Sequence, residues 1–195
     1  TELFRNLEQF APQRIINTAA LTNVDQCEAQ QEAAYALNTQ APLNMAQWAR
    51  ANGAAFIHIS TDSVFDGKQG NYIENDPGNP VNYYAYTKAE AERAILDIYP
   101  EALVVRTNFY GINQNKSKQS LAEWIIRELT AGNSIRAFTD VRFSALNTTD
   151  IATYIWQLVQ AKVQGIIHLG ACDSLSKYEF ACFIADQLNL DSQAI

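Results

Sequence analysis

Four short apolar runs constrain this chain most. They cover residues 14–20, 54–60, 103–107 and 165–170, and segments with helical spacing separate them. Runs of this length, rich in Ile, Val and Phe and bounded by turn residues, read as buried strands. Leu3, Phe4, Leu7 and Phe10 have helical spacing before Pro12, and residues 28–37 read as a helix. Pro42 suits the first turn of a further helix through Trp48, closed by Gly53. Tyr84, Lys88, Ala91 and Ile95 fall on one helical stripe, while 61–82 reads as a long functional loop. Strands alternating with helices predict an α/β fold with a doubly wound parallel sheet.

The second part alternates less regularly. Leu121, Trp124, Ile125 and Leu129 mark a helix closed by Gly132, and 134–138 reads as a strand. Thr148 or Thr149 is placed to cap a helix carrying Ile151, Ile155 and Leu158. Ser176 and Glu179 form a capping box ahead of Phe180, Phe183, Ile184 and Leu188. The expected organisation is a sheet domain over 1–108 and a smaller mixed lobe over 109–195, with the strand at 165–170 returning to the sheet.

A net charge of −7 argues against nonspecific binding to nucleic acid or to an anionic membrane, while leaving room for a nucleotide in a local site. The three cysteines, Cys27, Cys172 and Cys182, lack metal-ligand spacing, so no metal is expected. An odd, sparse set suggests reduced thiols and a cytoplasmic location. No window approaches 18 apolar residues.

Doubly wound sheets hold ligands beyond the carboxyl ends of their strands. Ala19-Ala20, Ser60-Thr61-Asp62 and Thr107-Asn108 all sit at such ends. Beyond the second end come Tyr84 and Lys88, one helical turn apart and therefore on one face. An ammonium beside a phenol favours phenolate, which predicts a lowered Tyr84 pKa. With the Thr61 hydroxyl to hold a carbonyl oxygen, these are the parts that protonate a ketone oxygen as hydride attacks its carbon. His58 and His168 lie in apolar runs and read as buried, hydrogen-bonded core residues.

Longer strings carry a resemblance. Ser60-Thr61-Asp62-Ser63-Val64-Phe65-Asp66-Gly67, the spaced Tyr72, Glu74, Asp76 and Pro80, and Tyr84-Ala85-Tyr86-Thr87-Lys88 resemble extended short-chain dehydrogenases. Among these the chain looks most like the dTDP-4-dehydrorhamnose reductase family, along nearly its whole length. The resemblance implies a Rossmann-like domain with a substrate-binding lobe, NADPH or NADH as cofactor, and a keto-sugar nucleotide as substrate. It implies Thr61, Tyr84 and Lys88 as catalytic residues. Ala19, Ala20, Leu21, Thr22, Asn38, Ser60, Asn108, Tyr84 and Lys88 would lie along the cofactor. Thr61, Asp62, Phe109 and Arg142 would meet the substrate, Arg142 through a diphosphate. A homodimer fits the family.

Alternatives follow from the same motifs. Dehydratases of this superfamily carry Thr-Asp-Glu, whereas Ser63 stands third here and leaves that acid–base pair incomplete. Epimerases usually have a small residue in place of Asp62. A catalytically silent, nucleotide-binding regulatory subunit is the alternative from another class. The family's Gly-x-x-Gly-x-x-Gly turn is not in these residues, and Ser63 and Ala85 stand where Tyr and Gly are common. The chain therefore reads as an internal stretch of a reductase, without the family's first strands and C-terminal end. By itself such a stretch is expected to have negligible dinucleotide affinity, since the pyrophosphate loses its helix N-terminus. Its first strand is expected to present an unpaired edge.

Overall fold

A computed structural model describes residues 2–115 and 119–195. In chain order the elements are α1 (Glu2–Phe10), β1 (Arg14–Asn17), α2 (Val24–Ala29), α3 (Gln31–Tyr35), a π-helical turn (Ala36–Gln40), α4 (Ala41–Ala51) and β2 (Ala55–Ser60). A 3₁₀ turn (Asp62–Val64), α5 (Tyr83–Ile98), β3 (Leu103–Thr107) and β4 (Phe109–Tyr110) come next. Then follow α6 (Leu121–Thr130), β5 (Arg142–Phe143), β6 (Leu146–Asn147), α7 (Thr148–Gln160), β7 (Gly165–Leu169), β8 (Leu175–Ser176) and α8 (Lys177–Leu188). They form two compact units. The first runs to Thr107 and includes Lys162–His168; the second comprises Asn108–Ala161 and Leu169–Ile195.

The first unit is built on a sheet of order β1-β2-β3-β7. β1, β2 and β3 are parallel, with Asn17 beside His58 and Ser60 beside Arg106. Parallel strands need helical crossovers, and α4 and α5 supply them. Ala46 and Ala49 of α4, Phe56 of β2, and Ala91 and Ile95 of α5 make a close-packed cluster with Ala54 and Ala102. Alanines at the helix faces let backbone and sheet approach. Burying a side chain such as Ile95 contributes about 1.5–3 kcal/mol. This is a Rossmann-like α/β fold.

The second unit is smaller and mixed. β4 pairs with β6 in parallel, and β5 pairs with β8 in antiparallel fashion. Ile125 and Leu129 of α6 pack with Phe143, Phe180 and Ile184 around one core. Ser120 and Ser176 start α6 and α8 with complete capping boxes. A side chain at Gly111 would collide with Thr148, so only glycine lets β4 lie that close to α7.

Several expectations change. The first strand is four residues long, not seven, and is only partly buried: Arg14 and Ile16 are exposed at the sheet edge, while Asn17 is buried. A strand with one neighbour is covered less than a central one. Residues 134–138 form no strand; Ile135 instead donates its N–H to the Ala194 carbonyl. Asn147, ahead of both threonines, caps α7. β7 is half-buried along its length. The helices read over 28–37 and from Pro42 are nearly continuous, because the π-helical turn carries the chain from α3 directly into α4.

One charge pair lies inside this fold. Glu92 and Arg106 are 2.7 Å apart with side chains only 5 % and 8 % exposed, and Ser60 also donates to Glu92. Breaking a buried pair strands the other charge in low dielectric. Glu92→Ala is expected to lower unfolding free energy by about 3–5 kcal/mol in urea titrations. Arg93→Ala, which breaks exposed pairs on the outer face of the same helix, should leave the midpoint almost unchanged.

Candidate active site

The carboxyl ends of β1, β2 and β3 share one edge because the three strands are parallel. At β2 this edge continues into Thr61, whose hydroxyl accepts the Ser63 N–H at 3.1 Å and so caps the 3₁₀ turn. The same hydroxyl donates to Asp62 Oδ1 at 3.2 Å. Asn82 caps α5 by accepting the Ala85 N–H at 2.8 Å, which places Tyr84 in the first turn. The hydroxyls of Thr61 and Tyr84 interact, so the two sequence-predicted groups meet at one place.

The electrostatics differ from expectation. The Tyr84 phenol has a raised pKa, chiefly because it is buried; the Asp62 and Cys27 charges add to this, and the Thr61 bond opposes it. Lys88 does not lower it. The Lys88 nitrogen lies instead 2.9 Å from His58 Nε2 and donates to the Ile59 carbonyl at 2.7 Å. Its side chain is almost fully buried beneath the sheet, and burial pulls the amine pKa down to about 8 against the raising influence of Glu92. One helical turn of spacing puts Tyr84 and Lys88 on one face without making them a contact pair.

Asn38, expected beside the cofactor, is completely buried. Its Oδ1 accepts the Leu21 N–H at 2.7 Å, and its Nδ2 donates to the Leu21 carbonyl at 3.0 Å and to Thr87 Oγ1 at 3.1 Å. Thr87 in turn donates to the Tyr84 carbonyl at 2.7 Å. Asn38 thus fastens the segment after β1 to the helix that carries Tyr84. The π-helical turn brings Asn38 and Thr39 inward, and Thr39 bonds the Thr87 carbonyl at 2.7 Å.

The segment itself carries Ala19 and Thr22 exposed and Ala20 and Leu21 half-buried, so its small side chains leave the backbone approachable. The Ser60 hydroxyl donates to Glu92 inside the domain. Sequence reasoning did not single out Thr87, Glu92 or Arg106. Glu92 had a signal, since Tyr84, Lys88 and Glu92 recur every four residues along one helical stripe.

In the second unit Phe109 is 53 % exposed on β4 and is not a core residue. Asn108 leads into that strand, and its carbonyl accepts the Leu146 N–H at 3.1 Å. The three guanidinium nitrogens of Arg142 are engaged by the Ser174 hydroxyl at 3.1 Å, the Ser174 carbonyl at 2.6 Å and Glu179 at 3.0 Å. A diphosphate would have to displace an existing ion pair. Among the described residues no group of side chains has metal-ligand geometry, and no helix is long and apolar enough to cross a membrane.

Residues 1–195 match the sequence profile of the RmlD substrate binding domain. The chain belongs to that family. A probable low-salt glycan biosynthesis reductase of Haloferax volcanii is 33 % identical over 192 residues, covering 97 % of this chain and 64 % of its own length. The methionine adenosyltransferase 2 subunit beta of Danio rerio is 34 % identical over 193 residues, covering 95 % of this chain and 59 % of its own. The crystal structure of a Bacillus anthracis dTDP-4-dehydrorhamnose reductase in complex with NADP superposes with a TM-score of 0.89 at 28 % identity, over 96 % of this chain and 66 % of that one. This member of the RmlD family therefore spans roughly three fifths to two thirds of the relatives it matches.

The Asn38 clamp makes a direct prediction. Asn38→Leu removes every bond between Leu21 and Thr87, and is expected to cost on the order of 2 kcal/mol or more. Amide hydrogen exchange at Leu21 should accelerate, whereas exchange in the β2 core should change only by the global loss of stability.

Proposed function

We propose that this chain carries the catalytic face of an NAD(P)H-dependent reductase acting on a 4-keto sugar nucleotide. The observation that carries the reading is the meeting of Thr61 and a protonated Tyr84 at the carboxyl edge of a parallel sheet. Reduction of a ketone needs an acid that gives a proton to the oxygen as the carbon receives hydride. A phenol with a raised pKa is in that form at neutral pH. The family's NADP-bound relative supports the choice of cofactor.

The residues fit a dinucleotide on its nicotinamide side. Ala19 and Ala20 offer small side chains at the end of β1, and Asn38 ties Leu21 to the Tyr84 helix. Ala19, Ala20, Leu21 and Thr22 would flank the cofactor, with the backbone of Ser60 and with Asn108 at the neighbouring strand ends. Lys88 would hold a ribose hydroxyl with an N–H not used by Ile59. When bound, the cofactor supplies hydride, and the protein supplies position and proton. Thr61 orients the carbonyl oxygen, Tyr84 donates its proton to that oxygen, and Asp62 holds sugar hydroxyls. Phe109 offers an exposed ring to the nucleotide sugar. Arg142 would contribute only by exchanging Glu179 for phosphate. The odd, sparse set of cysteines suits a cytoplasmic enzyme.

A regulatory subunit is the second reading, and the similarity to the methionine adenosyltransferase 2 subunit beta favours it. Cofactor turnover separates the two. Full-length protein given NADPH or NADH and a 4-keto sugar nucleotide should oxidise the cofactor, read by its absorbance. Binding of dinucleotide without turnover of any keto-sugar nucleotide would favour the regulatory reading. Tyr84→Phe is expected to lower turnover by about 10²–10⁴-fold with calorimetric cofactor affinity unchanged. Because the phenol's pKa lies above its ordinary 10.0, reduction should persist through neutral pH and fall only on the alkaline side.

A further inference from the structure

Three hydrogen bonds in a row specify where protons sit beneath the sheet. Asn17 Oδ1 accepts the Ala19 N–H at 3.1 Å, which turns the amide nitrogen of Asn17 the other way. That nitrogen is 3.1 Å from His58 Nδ1. An amide nitrogen only donates, so His58 Nδ1 must present its lone pair. A neutral imidazole then carries its proton on Nε2, and Nε2 faces the Lys88 nitrogen at 2.9 Å. An ammonium there would set donor against donor. An amine accepts the Nε2 proton, donates one hydrogen to the Ile59 carbonyl, and keeps one more for another acceptor.

We propose that Asn17 and His58 are positioning residues that favour the uncharged form of Lys88 and couple its protonation to the backbone at Ala19. The inference rests on the reductase reading only for what Lys88 does in turnover. Protonating Lys88 requires a lone pair on His58 Nε2, so the imidazole proton must move to Nδ1. Asn17 would then have to turn its carbonyl toward His58 and release the Ala19 N–H. Ala19 opens the segment that Asn38 fastens to the Tyr84 helix, so the charge on Lys88 and the seating of that segment are linked.

Other charges near Lys88 are accounted for. Glu92, one turn along α5, is neutralised by Arg106 of β3. Tyr84 lies one turn back on α5, with Asp62 and Cys27 acting on it from the loop after β2 and from α2. His58 is fully buried, and burial together with Lys88 holds its pKa well below the ordinary 6.5, in keeping with a neutral ring.

The molecule holds its own control. His168 Nδ1 faces the Tyr72 carbonyl at 3.2 Å and its Nε2 faces Arg106 Nη1 at 3.2 Å, which demands the opposite tautomer. Nitrogen-15 NMR of histidine-labelled full-length protein, with His58 assigned by His58→Gln, reads both rings without any assay of turnover. Above pH 8 His58 should be protonated on Nε2 and His168 on Nδ1, and the His58 proton should move to Nδ1 as Lys88 takes up its own proton below pH 8. The lysine side-chain carbon shift, assigned by Lys88→Met, should titrate near pH 8. Asn17→Asp keeps an acceptor for Ala19 but now also accepts from His58. It should move the His58 proton to Nδ1 and raise the Lys88 midpoint by at least about one pH unit. A wild-type His58 protonated on Nδ1 above pH 8, or a Lys88 midpoint at the ordinary 10.5, overturns the proposal. So does an Asn17→Asp variant in which the lysine midpoint rises while the imidazole proton stays on Nε2, since charge alone would then explain the shift. Should the protein reduce no keto sugar, the reductase reading fails while the tautomer result stands.

Discussion

The sheet-facing side of α5 is not wholly apolar, and much of the first unit depends on that. Lys88 and Glu92 are carried beneath the strands on the same stripe that buries Ala91 and Ile95. Ionisable groups in low dielectric are tolerated only where every polar atom finds a partner. His58 and Ile59 meet the amine, Arg106 and Ser60 meet the carboxylate, and the strand register brings these partners to the right places. Register slippage by one residue would turn them all to the other face.

A second set of bonds, through Asn38, does for the loops what α5 does for the strands. One amide satisfies both backbone groups of Leu21 and reaches Thr87. Loops at a ligand-binding edge lack a ladder to hold them, so a buried side chain takes over that work. The π-helical turn is the device that aims it: one extra residue in the helix rotates Asn38 and Thr39 inward together. The cost is a polar cluster in the interior, and the bonds around Thr87 offset it.

Much of this was legible in the chain. The runs at 54–60 and 103–107, the stripe on α5 and the capping box at Ser176 follow from periodicity and local hydrogen bonding, which sequence carries directly. The strand ends and the Thr61–Tyr84 meeting followed from the parallel topology. Less legible were the limits of β1 and the state of 134–138, where apolar residues occur but coverage by neighbours decides the outcome. Nothing local announces that Ser174 and Glu179 come to Arg142 across 32 and 37 residues.

By itself the sequence determined the α/β class and the family, and it picked out Thr61, Tyr84 and Lys88 as candidate groups, because each depends on residue type and short spacing. Only the tertiary structure decided what state those groups are in. The spacing of Tyr84 and Lys88 suggested an ammonium lowering a phenol's pKa, yet burial raises the phenol's and the amine turns to His58. Protonation depends on solvation and on donors and acceptors that arrive from distant segments, Asn17 and His58 being 71 and 30 residues from Lys88. Those quantities exist only once the strands are side by side.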